Sequence, residues 1–132
     1  MNDEVVLAAS KPVRWVGASK KEIQKLPKAV KQVFGQAIYD AQTGNKHPGA
    51  KPLKGFGGAG VLEVVEAELG STYRAIYTVK FADIVYVLSV FQKKSKTGRK
   101  TPKEEIDKIN ARFKEAEKDY AKYVEQQKEN RS

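Results

Sequence analysis

The chain has 132 residues, 40% of them hydrophobic, with five Phe, six Tyr and one Trp. That suffices for one domain with a modest core and excludes disorder throughout. Lys and Arg number 25 against 16 Asp and Glu, a net charge of +9 that favours a phosphate-bearing or acidic partner. There is no cysteine, which excludes disulfides, thiolate zinc sites and Cys nucleophiles.

Residues 1–10, MNDEVVLAAS, read as a short leader and not as a secretory signal. No apolar run is long enough to span a bilayer, so no membrane partner and a cytoplasmic location are expected. Pro12 to Val16 alternates apolar and polar and predicts a strand ending at Gly17. Ser19 followed by Glu22 has the spacing of a capping box opening a short helix to Leu26. Pro27 can open a second helix, whose stripe is Val30, Val33, Phe34, Ala37, Ile38 and Ala41 and whose stop is Gly44. Residues 45–60, NKHPGAKPLKGFGGAG, predict a loop.

Three strands are expected next: Val61–Leu69, a turn at Gly70-Ser71, Tyr73–Phe81, and the nearly all-apolar Ile84–Phe91. In the middle one, Tyr73, Ala75, Tyr77, Val79 and Phe81 share one face, and Arg74, Ile76, Thr78 and Lys80 the other. Thr101-Pro102 opens a long helix with stripe Ile106, Ile109, Phe113, Ala116, Tyr120 and Tyr123 or Val124, fraying over 126–132. The expected fold is α+β, a single domain over 1–132. A small antiparallel sheet of about four strands is joined by two N-terminal helices and one C-terminal helix. Helices would cover one face and leave the other for a ligand.

Three constellations carry chemistry. Lys51 and Lys54, with Phe56, lie in a Gly-rich loop able to approach phosphates. Arg74 lies mid-strand, where a planar guanidinium suits a phosphate, or an ion pair with Glu63 or Glu66. Gln92, Lys93, Lys94, Lys96, Arg99 and Lys100 follow the last strand, with no acid between Asp83 and Glu104. His47 is the only histidine, so no two-His acid/base pair exists. Glu63 could act as a base or orient Arg74. With no carboxylate cluster and no P-loop, neither metal nor cofactor is expected.

The segments KPLKGF (51–56), VLEVVE (61–66), YRAIY (73–77) and VLSVFQKKSKTGRKTPKEEI (87–106) occur in an order that resembles the RelE/ParE toxin superfamily. The likeness is to its phage-derived Gp49-like branch, which includes HigB-type toxins. The resemblance implies the toxin of a type II toxin–antitoxin system, a metal-independent endoribonuclease acting on mRNA in the ribosome. The RNA 2′-hydroxyl would attack the adjacent phosphorus. A cognate antitoxin, often a helix-turn-helix protein, is implied as partner. Arg74 matches the family's phosphate-stabilising arginine and Lys54 its loop lysine; Lys93 or Lys94 falls where the family places basic or His groups. Lys51 stands where several members have a carboxylate. Glu63 and Val65 stand where RelE-like members have lysines, and Ser89 where close relatives often have His. The base stays open between Glu63 and His47. A ParE-like gyrase inhibitor and an inert RNA-binding relative are the competing readings.

Overall fold

The computed structural model describes residues 10–56, 58–93 and 101–131. In chain order they form β1 (Val13–Trp15), α1 (Ser19–Gln24), α2 (Lys28–Gln42), β2 (Ala50–Pro52), β3 (Val61–Glu68), β4 (Ser71–Thr78), β5 (Val85–Lys93) and α3 (Lys103–Arg131). The fold is α+β, as expected. The five strands lie in the order β1-β5-β4-β3-β2. All neighbours are antiparallel except β1 and β5, which pair in parallel. Parallel pairing needs a long crossover, and here most of the chain lies between the two strands. β2 falls inside the stretch read as loop; three residues are too few to show a period.

Both faces of the sheet are covered, which corrects the expectation of one free face. On one side α2 buries Val30, Phe34, Ala37, Ile38 and Ala41 against Val64, Ala75, Tyr77, Val85 and Val87. On the other, α3 buries Ile109 and Ala116 against Ile76, Tyr86 and Leu88, with Ile106, Phe113, Tyr120 and Tyr123 packed alongside. Both predicted stripes are therefore core-facing. β4 stops at Thr78, three residues earlier than expected. Phe81 thereby leaves the face of Tyr73 and Tyr77 and packs on the α3 side, 5.3 Å from the Tyr86 ring and 4.8 Å from that of Tyr120.

The capping box does not form. Ala18 occupies the N-cap, and the Ser19 hydroxyl donates to the Val87 carbonyl at 3.0 Å. Glu22 turns inward to accept from the Val90 amide at 3.0 Å and from both Nη atoms of Arg112 at 3.1 and 3.2 Å. Arg112 also donates to the Leu88 carbonyl at 2.8 Å. These bonds bracket a break in the β4–β5 register. Tyr77 pairs with Val87 but Ile76 pairs with Ser89, so Leu88 is an extra, bulged residue. The bulge decides which face Lys93 takes. Val85 and Val87 face α2, and strict alternation would turn Lys93 the same way. One inserted residue instead sends Ser89, Phe91 and Lys93 to the α3 side, where Arg74 points.

Candidate functional site

Three cross-strand rows build the site on the α3-facing side of β3, β4 and β5. Glu63 pairs with Ile76, which pairs with Ser89; Val65 pairs with Arg74, which pairs with Phe91; Thr72 pairs with Lys93. Arg74 is 6% exposed and Lys93 8%. Burying two cations beside one another costs energy unless an anion or hydrogen bonds compensate. Glu63 supplies the anion: its Oε2 accepts from Arg74 Nη1 at 2.5 Å. Glu66, the other candidate partner, lies one residue out of phase, opposite Tyr73. The hydroxyl of Thr101, just before α3, donates to the same Glu63 oxygen at 2.9 Å. A carboxylate oxygen engaged by two donors is well placed to orient Arg74. The Lys93 ammonium is pushed below its ordinary value of 10.5, by burial first and by the Arg74 charge second, with Glu63 partly opposing. Such a lysine releases its proton more readily than a solvated one.

Beside this cluster lies a cleft of about 290 Å³ lined by Lys51, Pro52, Leu53, Lys54, Glu63 and Thr101. Buried Leu53 anchors the loop, its amide donating to the Val61 carbonyl at 2.9 Å. Gly55, at φ +95°, takes the turn that leaves Lys51 and Lys54 exposed at the rim. Phe56 packs against the α3-side core, so its ring serves the fold. The result is a carboxylate-oriented guanidinium and a buried lysine beside a cationic rim. That arrangement can hold a phosphate, stabilise added negative charge and deliver a proton.

Residues 21–114 match the family described as phage derived protein Gp49-like (DUF891), more than half of the chain. The chain belongs to this Gp49-like family. It is the family of the RelE/HigB-type toxin branch, so membership points to a toxin-like protein of a toxin–antitoxin pair, with an antitoxin as partner. No curated protein and no solved structure matches the chain.

The Gp49-like chain does not gather every predicted residue at Arg74. His47 lies in the turn before β2, its Nδ1 accepting from the Gly49 amide at 3.0 Å, and it does not line the cleft. Gln92 faces away from Lys93, its amide donating to the Ser71 hydroxyl at 3.0 Å. Lys94, Lys96, Arg99 and Lys100 lie outside the described residues. Ser89, at the position where close relatives often have His, donates to Glu105 at 3.3 Å. Thr101 was legible only as a helix opener; its bond to Glu63 depends on where α3 docks. Among the described residues no group of three or more His, Cys, Asp or Glu could hold a metal, and no helix is long and apolar enough to cross a membrane.

A second cleft of about 590 Å³ separates β1 from α3 and is lined by Arg14, Trp15, Tyr86, Lys118, Asp119 and Lys122 among others. Asp119 accepts from Arg14 and from the Tyr86 hydroxyl, each at 2.6 Å. Burial raises the Tyr86 hydroxyl pKa, and the bond to Asp119 raises it further. Burial pulls Asp119 upward, but its bonds to Tyr86 and Arg14 outweigh that and leave it below its ordinary value. These groups satisfy one another and tie β1 and β5 to α3.

Proposed function

We propose that this Gp49-like protein is a metal-independent endoribonuclease that cuts mRNA on the ribosome, the toxin of a type II toxin–antitoxin pair. The observation that carries this reading is the buried Arg74 guanidinium, held by Glu63, which itself lines the cleft rimmed by Lys51 and Lys54, with buried Lys93 on the same sheet face. Arg74 would grip the non-bridging oxygens of the scissile phosphate as the 2′-oxygen attacks phosphorus, stabilising the charge that develops there. The bond from phosphorus to the 5′-oxygen breaks, and Lys93 donates a proton to that oxygen. The products are a 2′,3′-cyclic phosphate and a 5′-hydroxyl end. The 2′-hydroxyl proton passes to solvent or to a group of the ribosome. Lys51, Lys54, Lys94, Lys96, Arg99 and Lys100 would hold flanking phosphates. The cognate antitoxin, a helix-turn-helix protein in this reading, would silence the site.

One observation favours a second reading, an RNA-binding relative without cleavage. Of the two base candidates, Glu63 is already bonded to Arg74 and Thr101, and His47 is bonded within its own turn.

The deciding experiment maps mRNA 5′ ends in translating cells that express the wild type or Arg74→Lys. Arg74→Lys keeps a cation for Glu63 but removes the planar fork. Codon-phased 5′-hydroxyl ends that fall by about 10²-fold or more in the variant are expected. RNA binding with intact messages would support the inert relative. Growth arrest with intact messages and blocked supercoiling would support a gyrase inhibitor.

A further inference from the structure

A second charged surface lies apart from the Arg74 site. Lys20, Lys21, Lys25, Lys28 and Lys31 are all exposed, on α1, at the α1–α2 junction and on the first turns of α2. The only acid in that stretch is Glu22, which is turned inward onto Arg112 and Val90; the next along the chain is Asp40. Among the described residues none of the five lysines has an ion-pair partner. Five uncompensated charges on two short adjoining helices repel one another, and a polyanion relieves that repulsion.

A groove of about 490 Å³ opens beside them, lined by Lys25, Leu26, Pro27, Tyr73 and Gln92 among others, and by Glu22, whose carboxylate is neutralised by Arg112. Its place in the sheet gives it meaning. Tyr73 and Gln92 are register partners, and each is the chain neighbour of a site residue, Arg74 and Lys93. Phe91, the register partner of Arg74, turns its side chain to the α3 side with Arg74, while Tyr73 lies on the α2 side. The groove is therefore on the back of the same sheet end that carries the site.

We propose that the α1–α2 surface and this groove form a second RNA-binding surface, taking the part of a single strand that flanks the phosphate at Arg74. The lysines take backbone phosphates. The Leu26, Pro27 and Tyr73 wall takes a base, and the Gln92 amide meets a base edge. An acidic protein fits less well. Protein interfaces are anchored on large apolar side chains, and the exposed ones here, Tyr39, Val65, Leu69 and Val79, all lie outside this surface.

The identity of the strand rests on the nuclease reading, but the binding does not require cleavage. The test uses a fluorescein-labelled single-stranded RNA of about 16 nucleotides with 2′-O-methyl sugars throughout, which cannot be cut, and follows anisotropy against salt. Changing all five lysines to Gln is expected to weaken binding at least about tenfold near 0.1 M salt. It should also flatten the slope of log K against log salt by about 3.5, at roughly 0.7 for each phosphate no longer neutralised. Lys25→Gln alone should weaken binding about threefold, and Arg74→Lys should leave it within about threefold. Thermal unfolding of each variant confirms that the fold is kept. Binding within about twofold of wild type, with an unchanged slope, would overturn the proposal. So would a five-lysine variant that keeps RNA and loses only polyglutamate. If the RNA binds as expected but wild-type protein cuts no message, the nuclease reading fails and this surface stands.

Discussion

Arg74, Glu63 and Lys93 are one electrostatic unit, and each substitution there reports on the other two. The Arg74 and Glu63 side chains are 7% and 16% exposed. Arg74→Ala removes the cation and leaves Glu63 in poor solvent without its main donor. The expected loss is about 3–5 kcal/mol, read as a lower denaturant midpoint, because breaking a buried pair strands a charge. Arg74→Lys should lose distinctly less stability while removing the proposed cleavage as fully, which separates the role in folding from the role proposed in chemistry. Lys93 makes the opposite prediction. Its folded-state pKa lies below the unfolded value of 10.5. Between the two the unfolded chain binds more protons, so stability rises as pH climbs through that window. Lys93→Met should lack that rise. Denaturant titrations of both proteins at a series of pH values check this; equal pH profiles would remove the argument for a strained ammonium.

At the scale of elements, the helices and the long strands were legible because their apolar residues repeat at 3.6 or 2 over many residues. The stripe of α2 from Val30 to Ala41 and that of α3 from Ile106 to Tyr120 both face the core. What was not legible had no period or depended on docking. β2 is three residues long. Ser19 and Glu22 carry the capping-box spacing, yet β5 and α3 offer them stronger partners in Val87, Val90 and Arg112. Arg74 and Lys54 could be picked from the sequence, but not the bulge at Leu88 that turns Lys93 onto the face of Arg74. Glu22 holds that bulge. Glu22→Ala should strand Arg112, 12% exposed, and the Val90 amide, costing about 3–5 kcal/mol. Adding Arg112→Met should recover much of that loss in thermal unfolding, although the Leu88 carbonyl loses its donor too. The β3–β4 turn carries a separate prediction. Leu69 is 95% exposed at φ +48°, next to Gly70 at φ +82°. Two positive φ values suit Asn-Gly, and Leu is sterically disfavoured there. Leu69→Asn should raise stability by about 1 kcal/mol.

At the scale of the whole molecule, one sheet serves as the wall of two cores. That arrangement decides whether the protein unfolds as one unit. Phe34 and Ile109 are both fully buried, the first on α2 and the second on α3, on opposite faces of the sheet. Phe34→Ala should cost about 3–5 kcal/mol and Ile109→Ala about 2–5, each from lost burial and a residual cavity. If β4 and β5 transmit the loss from either side, both variants show one transition, shifted down, whether followed by helix signal or by tryptophan fluorescence. The two losses should then add to within about 0.5 kcal/mol in the double variant, because the sheet separates the two sites. The competing behaviour is an α3 that detaches first. In that case Ile109→Ala would split the curve, with part of the helix signal lost before Trp15, which packs against the α2-side core, reports unfolding. The bonds from Arg112 to Glu22 and Leu88, and from Asp119 to Arg14 and Tyr86, pin α3 at two places along its length. Thr101, just before that helix, holds the Glu63 carboxylate that orients Arg74. A single transition is therefore expected, and the proposed cleavage should fall along the same curve as the α3 helix signal.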